Sequence, residues 1–253
     1  MSVELCGIEL AHPIINASGT FDAIAAQRAF GRAMIERFPF AAFVTKTVTV
    51  KPREGNPPPR LWEAPAGLIN SIGLPNKGLR AYLTEDLPRL ATLPVPLIVN
   101  VMGFSRDEFS ELVSAFGARE EIAALELNVS CPNVSTGLEF GADASELTGL
   151  LEAVRPLTDK PLIVKLTPNT QDVVSIARAA QAVGASAVSL INTLRGMALD
   201  PATGRPWLGA VTGGVSGPAI RAIALAQVAA VAQAIDIPVI GMGGVQGGSE
   251  ALD

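Results

Sequence analysis

The chain has 253 residues, of which 49% are hydrophobic and 17% charged, and its formal net charge is −5. This length allows one large domain or two small ones, and the low charge and high apolar content exclude a disordered chain. The negative net charge disfavours a nucleic-acid-binding surface, which needs an excess of basic residues. It still allows a local site for a small anion.

The sequence contains two cysteines, Cys6 and Cys131, and one histidine, His12. Two distant thiols do not make a disulfide framework, and one histidine excludes a multi-histidine metal centre and argues against a Ser-His-Asp triad. The N-terminal residues lack the basic and apolar segments of a secretory signal. The longest uncharged helical stretch, Ala222–Ile235, is too short and too polar to span a bilayer. We therefore expect a soluble cytoplasmic protein.

Apolar runs alternate with helical patterns along the chain. Seven strands are predicted, at Ile14–Ser18, Ala42–Val48, Leu97–Met102, Ala124–Ser130, Leu162–Thr167, Ala187–Thr193 and Val239–Met242. Six helices are predicted, at Ala23–Arg37, Lys77–Leu90, Arg106–Ala118, Ala144–Thr158, Val173–Val183 and Pro218–Ile235. Because the strand segments are continuously apolar, they indicate parallel strands that are buried on both faces.

Repeated strand–helix units predict an α/β fold, and we expect a (β/α)₈ TIM barrel, with a seven-stranded doubly wound sheet as the alternative. A last helix begins at Gly247–Asp253, so the pattern predicts a barrel truncated before its eighth βα unit. The segments Lys51–Asn76 and Leu194–Gly217 are predicted to be long loops. No repeat or linker indicates a second domain, and residues 1–253 are predicted to form one domain.

Polar residues collect at the carboxyl ends of the predicted strands, where the chemistry of such barrels takes place. These residues are Asn16 to Gly19, Thr45 to Thr47, Asn100, Asn128 to Asn133, Lys165 with Thr167, Asn192 with Thr193, and Gly241 to Gly244. Buried amides and lysines cost free energy unless they are paired, so their concentration at one end indicates a binding site. The Gly243-Gly244 pair alone is a weak signal for a phosphate site.

Several of these residues also have a purely structural interpretation. Either Lys46 or Lys165 alone would more often be a snorkelling or salt-bridged lysine. Cys6 is interpreted as a small buried hydrophobic residue, and His12 as a surface residue at the closed end of the barrel. Cys131 differs because it follows a strand and opens a polar loop, which favours a functional role.

At these residues the sequence resembles the dihydroorotate dehydrogenase family, the flavin enzymes of pyrimidine biosynthesis. The resemblance covers nearly the whole chain and rests on ordered motifs at Asn16–Gly19, Lys46–Thr47, Gly55–Pro57, Pro59–Arg60, Asn70–Asn76, Asn128–Asn133, Val164–Asn169, Ile191–Thr193, Thr212–Ile220 and Ile240–Gly244. It implies an FMN-dependent oxidoreductase that converts dihydroorotate to orotate, with FMN accepting the hydride.

The resemblance also narrows the class within the family. Cys131 stands where the membrane-bound, quinone-reducing members carry a serine base. Among the soluble cysteine members, one branch is a fumarate-reducing homodimer, and the other reduces NAD through a subunit with FAD and an iron–sulfur cluster. Asn192–Gly196 and Ser216–Ile220 look like the NAD-linked branch, whereas Ser71 and Pro75 are similar to the fumarate branch. We expect the NAD-linked catalytic subunit, as a homodimer within a heterotetramer, with the fumarate-reducing enzyme as the alternative.

The resemblance also implies roles for individual residues. Cys131 would be the catalytic base that removes the proton from C5 of the substrate. The substrate would be bound by Lys46, Asn70, Ser71, Ile72, Gly73, Leu74, Asn128, Asn192 and Thr193. FMN would be bound by Ser18, Lys46, Thr47, Asn100, Asn128, Lys165 and Ile191, with its phosphate on Gly217, Gly243 and Gly244. A lysine charge suits the orotate carboxylate, asparagine amides suit its ring, and Lys165 would stabilise the reduced flavin.

Other functions remain open on the residues alone. A non-redox lyase could use Lys165 as a Schiff-base nucleophile, and another flavin reductase could act on uracil or on dihydrouridine in tRNA. A non-catalytic binding barrel is disfavoured by the polar strand ends. The chain has no Gly-x-Gly-x-x-Gly turn and too few cysteines for a four-cysteine cluster, so FAD and the iron–sulfur cluster are expected on a partner subunit.

Overall fold

The computed structural model describes residues 2–129 and 140–251, which contain twelve strands and eight α-helices. The strands are β1 (Val3–Leu5), β2 (Ile8–Leu10), β3 (Phe43–Val44), β4 (Leu61–Ala64), β5 (Gly67–Asn70), β6 (Leu97–Val101), β7 (Ala124–Asn128), β8 (Leu162–Lys165), β9 (Ala187–Leu190), β10 (Leu194–Gly196), β11 (Gly213–Ser216) and β12 (Val239–Gly241). The α-helices are α1 (Ala23–Phe30), α2 (Arg32–Glu36), α3 (Gly78–Ala81), α4 (Leu87–Leu90), α5 (Arg106–Gly117), α6 (Ala144–Val154), α7 (Val173–Ala182) and α8 (Arg221–Ala232).

Six of the strands form a parallel sheet in the order β3-β6-β7-β8-β9-β12. Each strand therefore pairs with the next sheet strand along the chain, and helices connect them. A doubly wound sheet reverses its strand order at a switch point, whereas a (β/α)₈ barrel does not. The unreversed order confirms the predicted α/β fold of the TIM-barrel type.

The sheet separates two apolar clusters because its strands are buried on both faces. Toward the helices, alternate strand residues such as Val99, Leu125 and Leu127 pack with side chains of α5 and α6. The other face has a smaller cluster near the amino ends of the strands, formed by Val44, Ile98, Ala124, Ile163 and Ala187 together with Leu5 and Leu10 of the β1–β2 hairpin. This hairpin, which the sequence pattern did not predict, closes one end of the barrel.

Polar side chains begin four of the helices, in keeping with capping chemistry. The caps of α1, α5, α6 and α7 accept hydrogen bonds from backbone N–H groups of the first turn, and they are Asp22, Ser105, Asp143 and Asp172. Such caps satisfy donors that have no partner inside the helix. The predicted cap role of Asp143 is confirmed, and the predicted starts of α5, α6 and α7 agree with the structure.

Two predicted helices are interrupted. The segment Ala23–Arg37 forms α1 and α2, because Gly31 adopts a positive φ of 60° and ends the first helix. The segment Lys77–Leu90 forms α3, a π-helical turn at Tyr82–Asp86, and α4. Of the predicted final helix beginning at Gly247–Asp253, residues 248–251 form a turn, and residues 252 and 253 lie outside the described residues, so this helix stays a prediction.

The predicted strand Ile14–Ser18 is wrong, because no strand is formed there. The side chain of Asn16 instead pairs with both backbone groups of Val44 in β3. Its Nδ2 donates to the Val44 carbonyl at 2.7 Å, and its Oδ1 accepts from the Val44 N–H at 2.9 Å. A side-chain amide thus replaces the backbone ladder, which sequence hydrophobicity does not reveal.

The two predicted long loops are also wrong, because each contributes two strands. Segments Lys51–Asn76 and Leu194–Gly217 together form an antiparallel sheet in the order β10-β11-β5-β4. Trp62 and Trp207 stack edge to face beside it, with ring centroids 5.0 Å apart. Both segments leave the carboxyl ends of barrel strands, so this sheet stands over the end of the barrel that carries the polar residues.

Within residues 2–129 and 140–251, no helix has the length and apolar character that a bilayer crossing requires.

Candidate functional site

Three polar residues occupy the inward face of adjacent barrel strands at their carboxyl ends. They are Asn100 of β6, Asn128 of β7 and Lys165 of β8, and all three are buried. Asn128 lies directly opposite Lys165 in the register of the two strands. Because side chains alternate across a strand, these residues extend the same face that begins with Ile98, Ala124 and Ile163. The interior of the barrel therefore changes from apolar to polar toward this end.

A chain of amide and hydroxyl contacts joins the end of β7 to the segments that follow β3 and β9. Asn128 Nδ2 donates to Thr47 Oγ1 at 3.4 Å, and Asn192 Nδ2 donates to Asn128 Oδ1 at 3.4 Å. Asn192 Oδ1 in turn accepts from the backbone N–H of Thr193 at 2.8 Å. The structure thus brings together four of the residues predicted to bind ligands. Side-chain amides both donate and accept, which suits a flat ring with several polar edges.

Two lysines lie at this end without a partner in the described part of the chain. Lys46 is exposed and Lys165 is 6% exposed, and neither forms an ion pair or hydrogen bond there. The salt-bridge interpretation of these lysines therefore finds no support among the described residues. Charged side chains inside proteins are normally paired, so a lysine that is 6% exposed, has no partner among the described residues and lies opposite Asn128 indicates a site for an electron-rich ligand.

Three glycines form a backbone cradle at the amino end of α8. Gly217 has a φ of 90°, Gly243 of 121° and Gly244 of 76°, which are conformations that favour glycine. A Cβ on Gly244 would come within 2.6 Å of the Cβ of Arg221, the first residue of α8. A Cβ on Gly243 would come within 2.9 Å of the Cβ of Ala224. The absence of a Cβ at Gly243 and Gly244 therefore lets the segment after β12 lie directly against the first turn of α8.

This cradle has the chemistry of an anion site. Within residues 2–129 and 140–251, the backbone N–H groups of Gly217, Gly243 and Gly244 donate no hydrogen bond. They lie where the aligned peptide dipoles of α8 give a positive potential. Free N–H groups at a helix amino end are the usual partners of phosphate groups.

The loop after β5 presents backbone groups near the same end of the barrel. Where this loop begins, Asn70 at the end of β5 donates from Nδ2 to the Gly214 carbonyl of β11 at 3.1 Å. Buried Ser71 accepts at Oγ from Asn56 Nδ2 at 2.9 Å. Gly73 and Leu74 both have positive φ, of 77° and 56°. A leucine in this region is strained, and such strain is typical of functional loops.

The remaining predicted site residues fall into separate environments. Ser18 Oγ donates to the Thr45 carbonyl at 2.7 Å, and Ile191 N donates to the Met242 carbonyl at 3.0 Å, so both lie beside the polar strand ends. Ile72 precedes Gly73 in the loop described above. Cys131, the predicted catalytic base, lies outside the described residues.

The other cysteine has a structural environment. Cys6 Sγ donates to the Ser186 carbonyl at 3.2 Å. Burial raises the pKa of the Cys6 thiol, and the nearby Glu4 carboxylate adds to this effect. Because the thiolate is the reactive form, the raised pKa disfavours Cys6 as a nucleophile. Cys6 is half-buried rather than buried, and it packs against the apolar cluster at the amino ends of the strands. No group of three or more metal-ligating side chains was found among the described residues.

Sequence reasoning missed two polar residues inside the barrel, Glu126 and Ser189. Glu126 Oε1 accepts from Ser189 Oγ at 2.7 Å, and Glu126 Oε2 accepts from Asn100 Nδ2 at 2.5 Å. Asn100 Oδ1 is buried and has no partner among the described residues. The signal was present, because Glu126 is the one charged residue within β7 and lies two residues before Asn128, on the same face.

Comparisons with known proteins agree on one family. The family profile of dihydroorotate dehydrogenase matches residues 1–253. The chain is 45% identical to "Dihydroorotate dehydrogenase B (NAD(+)), catalytic subunit" of Trichlorobacter lovleyi, over all of this chain and 82% of that protein. Proteins of the same name from Desulforudis audaxviator and Bacillus pumilus are 44% and 43% identical, over all of this chain and 81% of each.

Proposed function

The chain belongs to the dihydroorotate dehydrogenase family, and from this premise we propose that it oxidises dihydroorotate to orotate and passes the electrons to NAD through a partner subunit. The reaction would serve de novo pyrimidine biosynthesis, and residues 1–253 would form one FMN-binding domain. The observation that carries the proposal is the polar end of the barrel, where Lys165 is buried without a partner in the described chain, beside Asn128. The cytoplasmic location predicted from the sequence stays a prediction.

The described residues fit FMN in two respects. The glycine cradle at α8 offers free N–H groups for the phosphate, and the barrel end offers unpaired polar groups for the ring. The residues proposed to hold FMN are Ser18, Lys46, Thr47, Asn100, Asn128, Lys165, Ile191, Gly217, Gly243 and Gly244. When bound, FMN supplies the two-electron acceptor that no amino-acid side chain provides.

The substrate would lie over the amide chain and beneath the loop after β5. The exposed ammonium of Lys46 matches the substrate carboxylate as a point charge. Asn70, Asn128 and Asn192 would hold the ring through paired donors and acceptors, with Thr193 beside them. The backbone of Ser71 to Leu74, in which Gly73 and Leu74 have positive φ, would line the ring's edge.

Cys131 would remove the proton from C5 of dihydroorotate. The proposal rests on its place in the sequence, three residues after Asn128 at the end of β7. A thiol is a suitable general base because a usable fraction is deprotonated near neutral pH. Cys6 cannot substitute for it, since Cys6 lies against Ser186 in the apolar part of the barrel.

The electrons would leave through a partner that carries FAD and an iron–sulfur cluster. The sequence has no Gly-x-Gly-x-x-Gly turn to seat a dinucleotide, and its two cysteines are too few for a four-cysteine cluster. We propose a homodimer of this chain within a heterotetramer. The alternative is the fumarate-reducing homodimer, which the resemblance of Ser71 and Pro75 to that branch favours.

Purification of the protein alone and after co-expression with the electron-transfer subunit of a relative would test this assignment. Each preparation would be supplied with dihydroorotate and either NAD or fumarate, and orotate would be measured. We expect NAD-dependent orotate only from the complex. Efficient fumarate reduction by the isolated chain would move it to the fumarate branch. Covalent trapping of substrate on Lys165 by borohydride, without flavin, would indicate the lyase instead.

A further inference from the structure

A buried carboxylate lies inside the barrel below the proposed flavin site. Glu126 is in the middle of β7, is 3% exposed, and forms no ion pair within the described residues. Burying a carboxylate without a cation is costly unless both oxygens receive hydrogen bonds. The contacts of the carboxylate therefore indicate what it does.

The carboxylate of Glu126 is held from two sides. Ser189 Oγ, from β9, donates to Oε1 at 2.7 Å, and Asn100 Nδ2, from β6, donates to Oε2 at 2.5 Å. Both donors are completely buried. The side chain of Glu126, on β7, is thus hydrogen-bonded to β6 on one side and to β9 on the other, and each of its oxygens has a defined donor.

This arrangement decides which end of the Asn100 amide is free. Because Nδ2 points to Glu126, Oδ1 points the other way, where it is buried and has no partner within the described chain. Leaving a buried acceptor unpaired costs free energy, so an unpaired acceptor indicates a missing partner. The reversed amide would bring Oδ1 against a carboxylate oxygen, which is repulsive. The acceptor end of Asn100 is therefore fixed by Glu126 and not by chance packing.

We propose that Glu126 is a positioning residue that presents Asn100 Oδ1 as an acceptor to the flavin ring. The inference rests on the proposed function, because it requires FMN in the barrel. The oxidised flavin ring has a single N–H group, its imide, flanked by two carbonyls. An acceptor at Asn100 pairs with that imide, whereas a reversed amide would place N–H groups against it. Ser189 contributes indirectly, because its hydroxyl donates to Glu126 Oε1 and so fixes the Glu126 carboxylate.

Two substitutions of Glu126 separate this role from packing and from charge. Glu126→Leu removes both acceptors, which frees the Asn100 amide to reverse. Glu126→Gln removes the charge but keeps an acceptor for Asn100, because its NH₂ group can donate to Ser189 Oγ, and a hydroxyl both donates and accepts. Glu126→Met provides a second, more adaptable apolar replacement where leucine packs poorly.

The test measures the FMN dissociation constant of each flavin-depleted protein by flavin fluorescence, alongside its melting temperature. We expect Glu126→Leu or Glu126→Met to weaken FMN binding by about 10- to 100-fold, and Glu126→Gln to stay within about threefold of the unmodified protein. In an Asn100→Ala background, Glu126→Leu should add less than about threefold, since the group that it positions is gone.

Two results would overturn the inference alone. One is a folded Glu126→Leu or Glu126→Met protein that binds FMN as tightly as the unmodified protein. The other is a full additional loss from Glu126→Leu in the Asn100→Ala background, which would indicate a general effect on the barrel. If the unmodified protein bound no FMN, the proposed function would fail first, and the inference with it.

Discussion

Replacing Gly244 by alanine should weaken FMN binding through the phosphate. Gly244 has a φ of 76°, and a Cβ there would lie 2.6 Å from the Cβ and 2.9 Å from the Cα of Arg221. These distances are far below van der Waals contact, and the second involves backbone, so the loop or the first turn of α8 must move. The movement separates N–H groups that we propose converge on one phosphate.

The size of the effect follows from two contributions. The left-handed conformation costs a non-glycine residue about 1–2 kcal/mol of stability. Loss of one hydrogen bond to a charged group costs about 1.5–3 kcal/mol of binding, which corresponds to about 10- to 150-fold in affinity. Gly204 is the matched control, because it has a φ of 67° and a Cβ added there would meet nothing within 4 Å. Gly204→Ala therefore introduces the backbone strain without the displacement.

The assay compares FMN with riboflavin, which has the same ring but no phosphate. Gly244→Ala should lose about 10- to 150-fold in FMN affinity while riboflavin affinity changes little. Gly204→Ala should leave both affinities unchanged. Equal losses for the two flavins in Gly244→Ala would refute the phosphate assignment, because they would show that the substitution disturbs the ring site or the fold.

Three further predictions concern the substrate, the base and the core. Cys131→Ser should keep FMN but slow anaerobic flavin reduction about 10²- to 10⁴-fold, with Cys6→Ser as control; an unchanged rate would remove Cys131 from the mechanism. Lys46→Ala should weaken orotate binding about 10-fold or more, whereas Lys51→Ala, which removes another exposed lysine, should not; a change within about twofold would contradict the carboxylate contact. Burial raises the pKa of Tyr82 well above its ordinary value near 10, so the folded state favours the neutral phenol and stability should fall as the pH rises above about 10. Tyr82→Phe should remove this pH dependence of stability, as measured by chemical unfolding. Because the sequence has one tyrosine, ultraviolet absorbance follows the titration of Tyr82 alone. Titration near pH 10 in the folded protein would contradict the effect of burial.

The barrel strands were predictable because their sequences are apolar on both faces. Leu97–Val101, for example, is buried at every residue, and continuous hydrophobicity signals that environment directly. The helix starts were predictable from capping side chains such as Ser105 and Asp143, whose hydrogen bonds are local. Local chemistry thus determined the order and type of most barrel elements.

Long-range pairing was not predictable in the same way. The antiparallel sheet joins segments more than a hundred residues apart, and its strand β11 begins with two glycines that resemble a loop. The first predicted strand failed because Asn16 pairs with Val44 through its side chain, a contact that no periodicity encodes. Glu126 was overlooked because a charge inside an apolar run can be interpreted only when its distant partners are known.

Anaerobic addition of dihydroorotate to the FMN-loaded protein tests the central claim most directly. The flavin's visible absorbance should bleach while one orotate forms for each flavin, because the barrel end would hold both molecules together. The same addition to Lys46→Ala should require more substrate for the same bleaching, through loss of the carboxylate contact. A flavin spectrum that stays oxidised in the unmodified protein, with no orotate formed, would contradict the assignment.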